Sequence, residues 1–161
     1  MATKTIQIDA RLVDRFTIQS DVKGHHVYID QSKEGGGMNM GPSPLEYFFL
    51  SIAGCIVTIA KIVAHQRRIA IRAMDVHVEG DLDNDVLFGR RDDVRAGFQD
   101  IRIRVDLDAD LTHEEKVAFL REVDRRCPIS ENVANATPVS IEVAERIKLG
   151  ESATQEHVIS A

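Results

Sequence analysis

Between Thr5 and Asp30 short apolar runs alternate with polar residues, the period of half-buried strands, and Asp21-Val22-Lys23-Gly24 separates FTIQS from HHVYID as a hairpin turn. The next stretch, QSKEGGGMNMG from Gln31 to Gly41, has four glycines and no period, so a mobile loop is expected, either a lid or a plain surface connection. Ser43-Pro44-Leu45-Glu46 then reads as a capping box with proline at the first helical position. Behind it the fourteen residues 47–60, YFFLSIAGCIVTIA, carry no charge and are apolar on every face. Such a helix is buried in protein or in a bilayer. A span needs about 20 apolar residues, and Lys61 closes this run early, so a core helix is predicted. His65, Arg67 and Arg68 suit its C-terminal dipole.

Farther on, Val76 and Val78 alternate with Asp75, His77 and Glu79, and Ile101, Ile103, Val105 and Leu107 alternate with Arg102, Arg104 and Asp106. Both segments predict long strands with one buried and one wet face. The connection between them, DNDVLFGRRDDVRAG, interleaves Arg90, Arg91 and Arg95 with Asp92 and Asp93, as a solvated hairpin end does. Thr112-His113-Glu114-Glu115 is a second capping box, opening a helix with Val117, Leu120 and Val123 on one stripe. Cys127-Pro128 interrupts it, ISENVANA continues as a short helix, and Pro138 ends that. VSIEVAERI predicts a last strand with Val139, Ile141 and Val143 inward. The order of elements is α+β rather than doubly wound. It implies one domain over residues 1–147 and a polar tail over 148–161. With few other helices to cover the apolar one, a second copy of the chain is expected to do so, as a homodimer.

Composition narrows the functions. The 161 residues, 43% hydrophobic and 29% charged, fit one soluble globular domain. An excess of 26 acidic over 20 basic side chains, net charge −6, disfavours nucleic acid and anionic membrane surfaces as partners and leaves a small molecule or a protein. Two cysteines do not make a secreted disulfide framework. MATKTIQIDA lacks the apolar stretch of a signal peptide, so a cytoplasmic protein is expected, in a compartment where a thiol pair is free to cycle.

Taken alone, Cys55 is a small hydrophobe within the core helix, with no cationic neighbour there to stabilise a thiolate. Cys127 precedes Pro128 as a candidate helix N-cap, where backbone amides, with Arg125 and Arg126 nearby, would lower its pKa; a helix-boundary cysteine of no consequence has the same spelling. His25-His26 is too isolated for a zinc site, and neither a phosphate-binding glycine loop nor a nucleophile elbow is present. No cofactor is expected.

GPSPLEYFFLSIAGC followed far downstream by RRCPISENV resembles the OsmC/Ohr family of osmotically inducible and organic-hydroperoxide-resistance proteins, in a less characterised branch. The resemblance implies an OsmC-like fold, antiparallel sheets packed around a long apolar helix, in an intertwined homodimer with sites at the subunit interface. It further implies a thiol-dependent peroxidase that reduces organic hydroperoxides in oxidative stress defence. Carried over, Cys55 attacks the peroxide and becomes a sulfenic acid, Cys127 resolves it to a disulfide, and a dithiol reductant restores both. The apolar neighbours Phe48, Phe49, Ile52 and Ile56 suit a hydrophobic peroxide. Well-studied members resembling the organic-peroxide enzymes place a catalytic Glu directly after the helix-initial proline, where this chain has Leu45. Glu46 stands nine residues before Cys55, which at about 100° per residue turns it to the far side of the helix, so it reads as the capping-box partner. The family's helper arginine lies on an N-terminal strand, and Arg15, then Arg11, are the candidates. Leu45 also keeps a rival open: a non-enzymatic dimer that binds a small apolar ligand or senses redox state.

Overall fold

A computed structural model describes residues 3–143, so the expected tail 148–161 lies outside the described residues. The described residues form two compact units, residues 3–46 with 139–143, and residues 47–138.

In the first unit, β1 (Arg11–Asp14), β2 (Thr17–Val22) and β3 (His25–Ile29) form an antiparallel sheet in that order. The β2–β3 turn is the predicted one: Lys23 and Gly24 take φ 53° and 83°, the paired positive angles of a tight hairpin whose twist matches its strands. Asp30, just past β3, is fully buried. Its carboxylate accepts from Thr17 Oγ1 at 3.0 Å and from the amides of Gln31, Met38 and Met40 at 2.8, 3.1 and 3.1 Å. Burial pushes its pKa up, but these donors outweigh burial and hold the carboxyl below the usual range. The loop expected to be mobile is therefore folded back around one buried acid, with Gly37 and Gly41 so close to the Gln31 and Tyr28 carbonyls that a side chain has no room. A second expectation needs correction. Residues 139–143 form no strand, and Val139, Ile141 and Val143 are almost wholly exposed rather than inward. A period-2 apolar segment is buried only when it pairs with an edge, and among the described residues this one has no strand partner.

Helix α1 (Pro44–Arg67) starts in the first unit and runs through the second. Its capping box is made: Ser43 N–H donates to Glu46 Oε2 at 2.6 Å and Glu46 N–H to Ser43 Oγ at 3.3 Å. At the other end Arg68 turns left-handed, φ 57°, and Ile69 N–H reaches back to the Ala64 carbonyl at 2.9 Å, closing the helix as a Schellman turn. Among the described residues α1 alone is long and apolar enough to cross a membrane by length and composition. One side of it builds the core of the second unit: Ile52, Ile56, Ala60 and Val63 cluster with Leu107, Phe119, Val123 and Cys127. Phe119 is 1% exposed; truncating such a side chain to Ala costs about 3–5 kcal/mol.

Strands β4 (Ile71–Asp81) and β5 (Asp100–Ala109) form a long antiparallel hairpin. Met74 opposite Leu107, Val76 opposite Val105 and Val78 opposite Ile103 make its apolar face. The other face is polar, with Arg102 bonded to Glu79, Asp81 and Asp100 at 3.1, 2.7 and 2.6 Å. Their connection holds the short helix α2 (Asn84–Leu87), capped by Asp83. Helix α3 (His113–Arg126) opens on the Thr112–Glu115 capping box, and α4 (Pro128–Ala134) follows after one residue, Cys127.

Candidate active site

Cys55 lies one turn after Ile52 and beside Ile56, so the core-facing side of α1 carries it to the edge of the core, where it is half-buried. Cys127 stands where Pro128 forces a break. Its backbone is extended, φ −81° and ψ 111°, ending α3 and capping α4. The side chain turns inward with 0% exposure, and its Sγ accepts the Ser130 N–H at 3.4 Å.

The two thiols interact. Burial, then this interaction, pushes the Cys55 pKa above the ordinary thiol value, with the Ile129 amide partly opposing. Burial also disfavours charge on Cys127. There the Cys55 thiol and the Ser130 and Ile129 amides oppose it, with the Ser130 hydroxyl placed to add to them, and the pKa is lowered. The direction for the pair is a less acidic Cys55 and a more acidic Cys127. Arg125 and Arg126 do not supply this effect as expected. Both turn to Glu122, at 3.6 and 3.4 Å, which also binds Arg67 at 2.8 Å, while Arg126 reaches Gln66 at 2.9 Å.

Phe48 and Phe98 stack with centroids 5.9 Å apart and planes 7° from parallel, and Phe49 lies 4.6 Å from Phe98. Gly80 makes room for them, since a side chain there would meet Phe49 and Phe98 at 3.0 and 3.1 Å. Phe48, Phe98, Arg95 and Asn132 line an open cleft of about 510 Å³. Ile101 and Val133 line both this cleft and a smaller apolar cavity of about 170 Å³ that contains Ile52 and Ser130. The Ser130 hydroxyl is buried and lacks a formed hydrogen bond. Phe98, Ile129 and Ser130 escape a reading of the sequence. The one signal Ser130 offers is its place three residues after the Cys127 cap, where the N3 amide meets the cap side chain, and Phe98 sits in a charged connection with no period.

The family model for OsmC-like proteins matches residues 35–142. The chain belongs to the OsmC-like protein family. Solved structures agree on the fold. An OsmC-like protein from Mycoplasma pneumoniae aligns with TM-score 0.73 and 19% identity over 84% of this chain and 91% of its own. An organic hydroperoxide resistance protein from Legionella pneumophila gives 0.59 and 17% over 83% and 91%. One from Elizabethkingia anophelis, with thiocyanate bound, gives 0.60 and 18% over 84% and 93%. No curated protein matches the sequence significantly.

Within this OsmC-like chain, the second unit brings Cys55 and Cys127 together, and the other candidates belong to the first. Arg15 is exposed in the turn between β1 and β2 with φ 40°, and Arg11 is exposed at the start of β1. Leu45 is exposed in the first turn of α1. Glu46 is committed to its cap, the Ser43 amide and hydroxyl holding its pKa down.

Proposed function

We propose that this OsmC-like chain is a two-cysteine hydroperoxide reductase acting on organic hydroperoxides in the cytoplasm, with a dithiol as reductant. The contact between the Cys55 and Cys127 thiols carries the reading. The Cys55 sulfur attacks the terminal peroxide oxygen while its proton passes to the Cys127 thiolate. The O–O bond breaks, Cys55 keeps the hydroxyl as a sulfenic acid, and the departing alkoxide takes the proton from Cys127 to leave as alcohol. The regenerated Cys127 thiolate attacks the sulfenic sulfur, forming the disulfide and expelling hydroxide. Exchange with the dithiol returns both thiols and leaves the reductant as its disulfide. In this scheme Cys127 is base first and resolving thiol second, tasks suited to the member of the pair that holds the charge. The aromatic wall of Phe48 and Phe98 supports an alkyl or aryl peroxide over hydrogen peroxide.

Arg15 joins the set as the cationic helper on the family resemblance alone; Arg15→Gln should lower turnover with alkyl hydroperoxide, and an unchanged rate removes it. A homodimer is supported by apolar surface that the described chain leaves open, with Leu50 60% exposed on α1 and Val139, Ile141 and Val143 bare. A monomer by light scattering at micromolar concentration ends that part.

The test is turnover of cumene or tert-butyl hydroperoxide against hydrogen peroxide, with excess dithiol, in wild type and Cys55→Ser. Wild type should consume the organic peroxides faster, and Cys55→Ser should not exceed background. Equal slow consumption by both proteins favours the second reading, a non-enzymatic ligand-binding or redox-sensing dimer, for which Leu45 in the usual Glu position speaks.

A further inference from the structure

We infer that Ser130 is a positioning residue whose buried hydroxyl holds the charged sulfur of Cys127. Three observations converge on it. Ser130 Oγ is shut off from solvent and makes no formed hydrogen bond, although an unpaired buried hydroxyl is costly. The amide of the same residue already donates to Cys127 Sγ at 3.4 Å, which fixes the side chain beside that sulfur. Ser130 also lines the cavity next to Cys127, together with the apolar Ile52, Ile101, Ile103 and Val133 and with Asp124. No hydrogen bond joins this hydroxyl to the Asp124 carboxylate, and the sulfur beside it is the acceptor that gains charge. Ionising Cys127 supplies the partner that Ser130 lacks, and Ser130 stabilises the ion. Arg125 and Arg126 are engaged by Glu122, so neutral donors do this work. Helping to hold charge on Cys127 keeps the shared proton on Cys55 and makes Cys127 both a ready base and a ready resolving nucleophile.

The inference rests on Cys55 and Cys127 as the working pair, but its test uses no peroxide. In Cys55→Ser only Cys127 remains to titrate, and thiolate ultraviolet absorbance against pH reports its midpoint without a reagent having to reach the buried sulfur. Adding Ser130→Ala removes the hydroxyl and leaves the amide. The midpoint should rise by about one pH unit, the size of one hydrogen bond to a charged group, cutting the thiolate fraction below both midpoints about tenfold. Ser130→Thr should restore it. A midpoint unmoved by Ser130→Ala, or raised by it and not restored by a folded Ser130→Thr, overturns the assignment; if the Thr variant does not fold, the Ala titration decides by itself. A shifted midpoint in a protein without peroxide turnover removes the peroxidase reading and leaves this one standing.

Discussion

The Cys55 and Cys127 thiols interact, and they part in acidity: burial and then this interaction push Cys55 up, while at Cys127 the interaction and the Ser130 and Ile129 amides outweigh burial and bring it down. The attacking role assigned to Cys55 then requires its proton to move to Cys127 before or during attack. With Leu45 directly after the helix-initial proline, the proposed mechanism takes its base from the second thiol.

That division of labour separates the single variants. Cys127→Ser loses both base and resolving thiol, so peroxide should oxidise Cys55 more slowly and then carry it on to sulfinic and sulfonic acids. Mass spectrometry of Cys127→Ser after excess cumene hydroperoxide should show additions of two and three oxygens. Protein that stays at a single reversible oxygen contradicts a resolving role.

Asp30 ties the glycine-rich loop to the first sheet, and its stabilising effect depends on pH. Its native pKa lies below the unfolded value, burial being outweighed by Thr17 and three amides. The contribution is therefore fully present above the ordinary carboxylate range and is lost as pH falls through the lowered native value. Asp30→Asn should melt below wild type at neutral pH, and the gap should narrow in acid beneath that range. Parallel melting curves at all pH values would remove the account of the loop.

Glu46 is assigned to the helix cap and not to the chemistry. Ser43→Ala should cost about 1 kcal/mol by denaturant unfolding. Glu46→Gln, which still reaches the Ser43 amide, should leave stability and peroxide turnover near wild type. A large loss of turnover in a stable Glu46→Gln protein would make this carboxylate catalytic after all.

Phe98 stacks on Phe48 in the lining of the cleft. Aromatic contacts of this kind are worth about 0.5–1.5 kcal/mol, so Phe98→Ala should raise KM for cumene hydroperoxide by up to about tenfold and leave the hydrogen peroxide rate unchanged. Equal effects on both peroxides would mean a damaged site, not a lost substrate wall.

Much of this could be read from residues near one another in the chain. Ser43–Glu46 and Thr112–Glu115 announce their helices because a capping box closes within three residues, and β4 and β5 show their period because one face is polar throughout. The pairing of Cys55 with Cys127 was legible as a family resemblance, and the capping role of Cys127 from the proline behind it. What escaped depends on contacts made across the fold. Nothing near Asp30 in sequence shows that its carboxylate will be buried under four donors, and although Glu122 stands one turn before Arg126, nothing near Arg126 shows that Gln66 will share its guanidinium. Val139, Ile141 and Val143 have the alternation of a strand, but pattern alone cannot provide the neighbouring edge that makes one.

The central claim is that Cys55 and Cys127 join when peroxide is reduced. Intact mass after one equivalent of cumene hydroperoxide, followed by non-reducing peptide mapping, tests it most directly. The account predicts loss of two hydrogens and a crosslinked peptide containing Cys55 and Cys127, reversed by a dithiol. A protein that gains oxygen without a crosslink, or keeps both thiols free while peroxide persists, would contradict it.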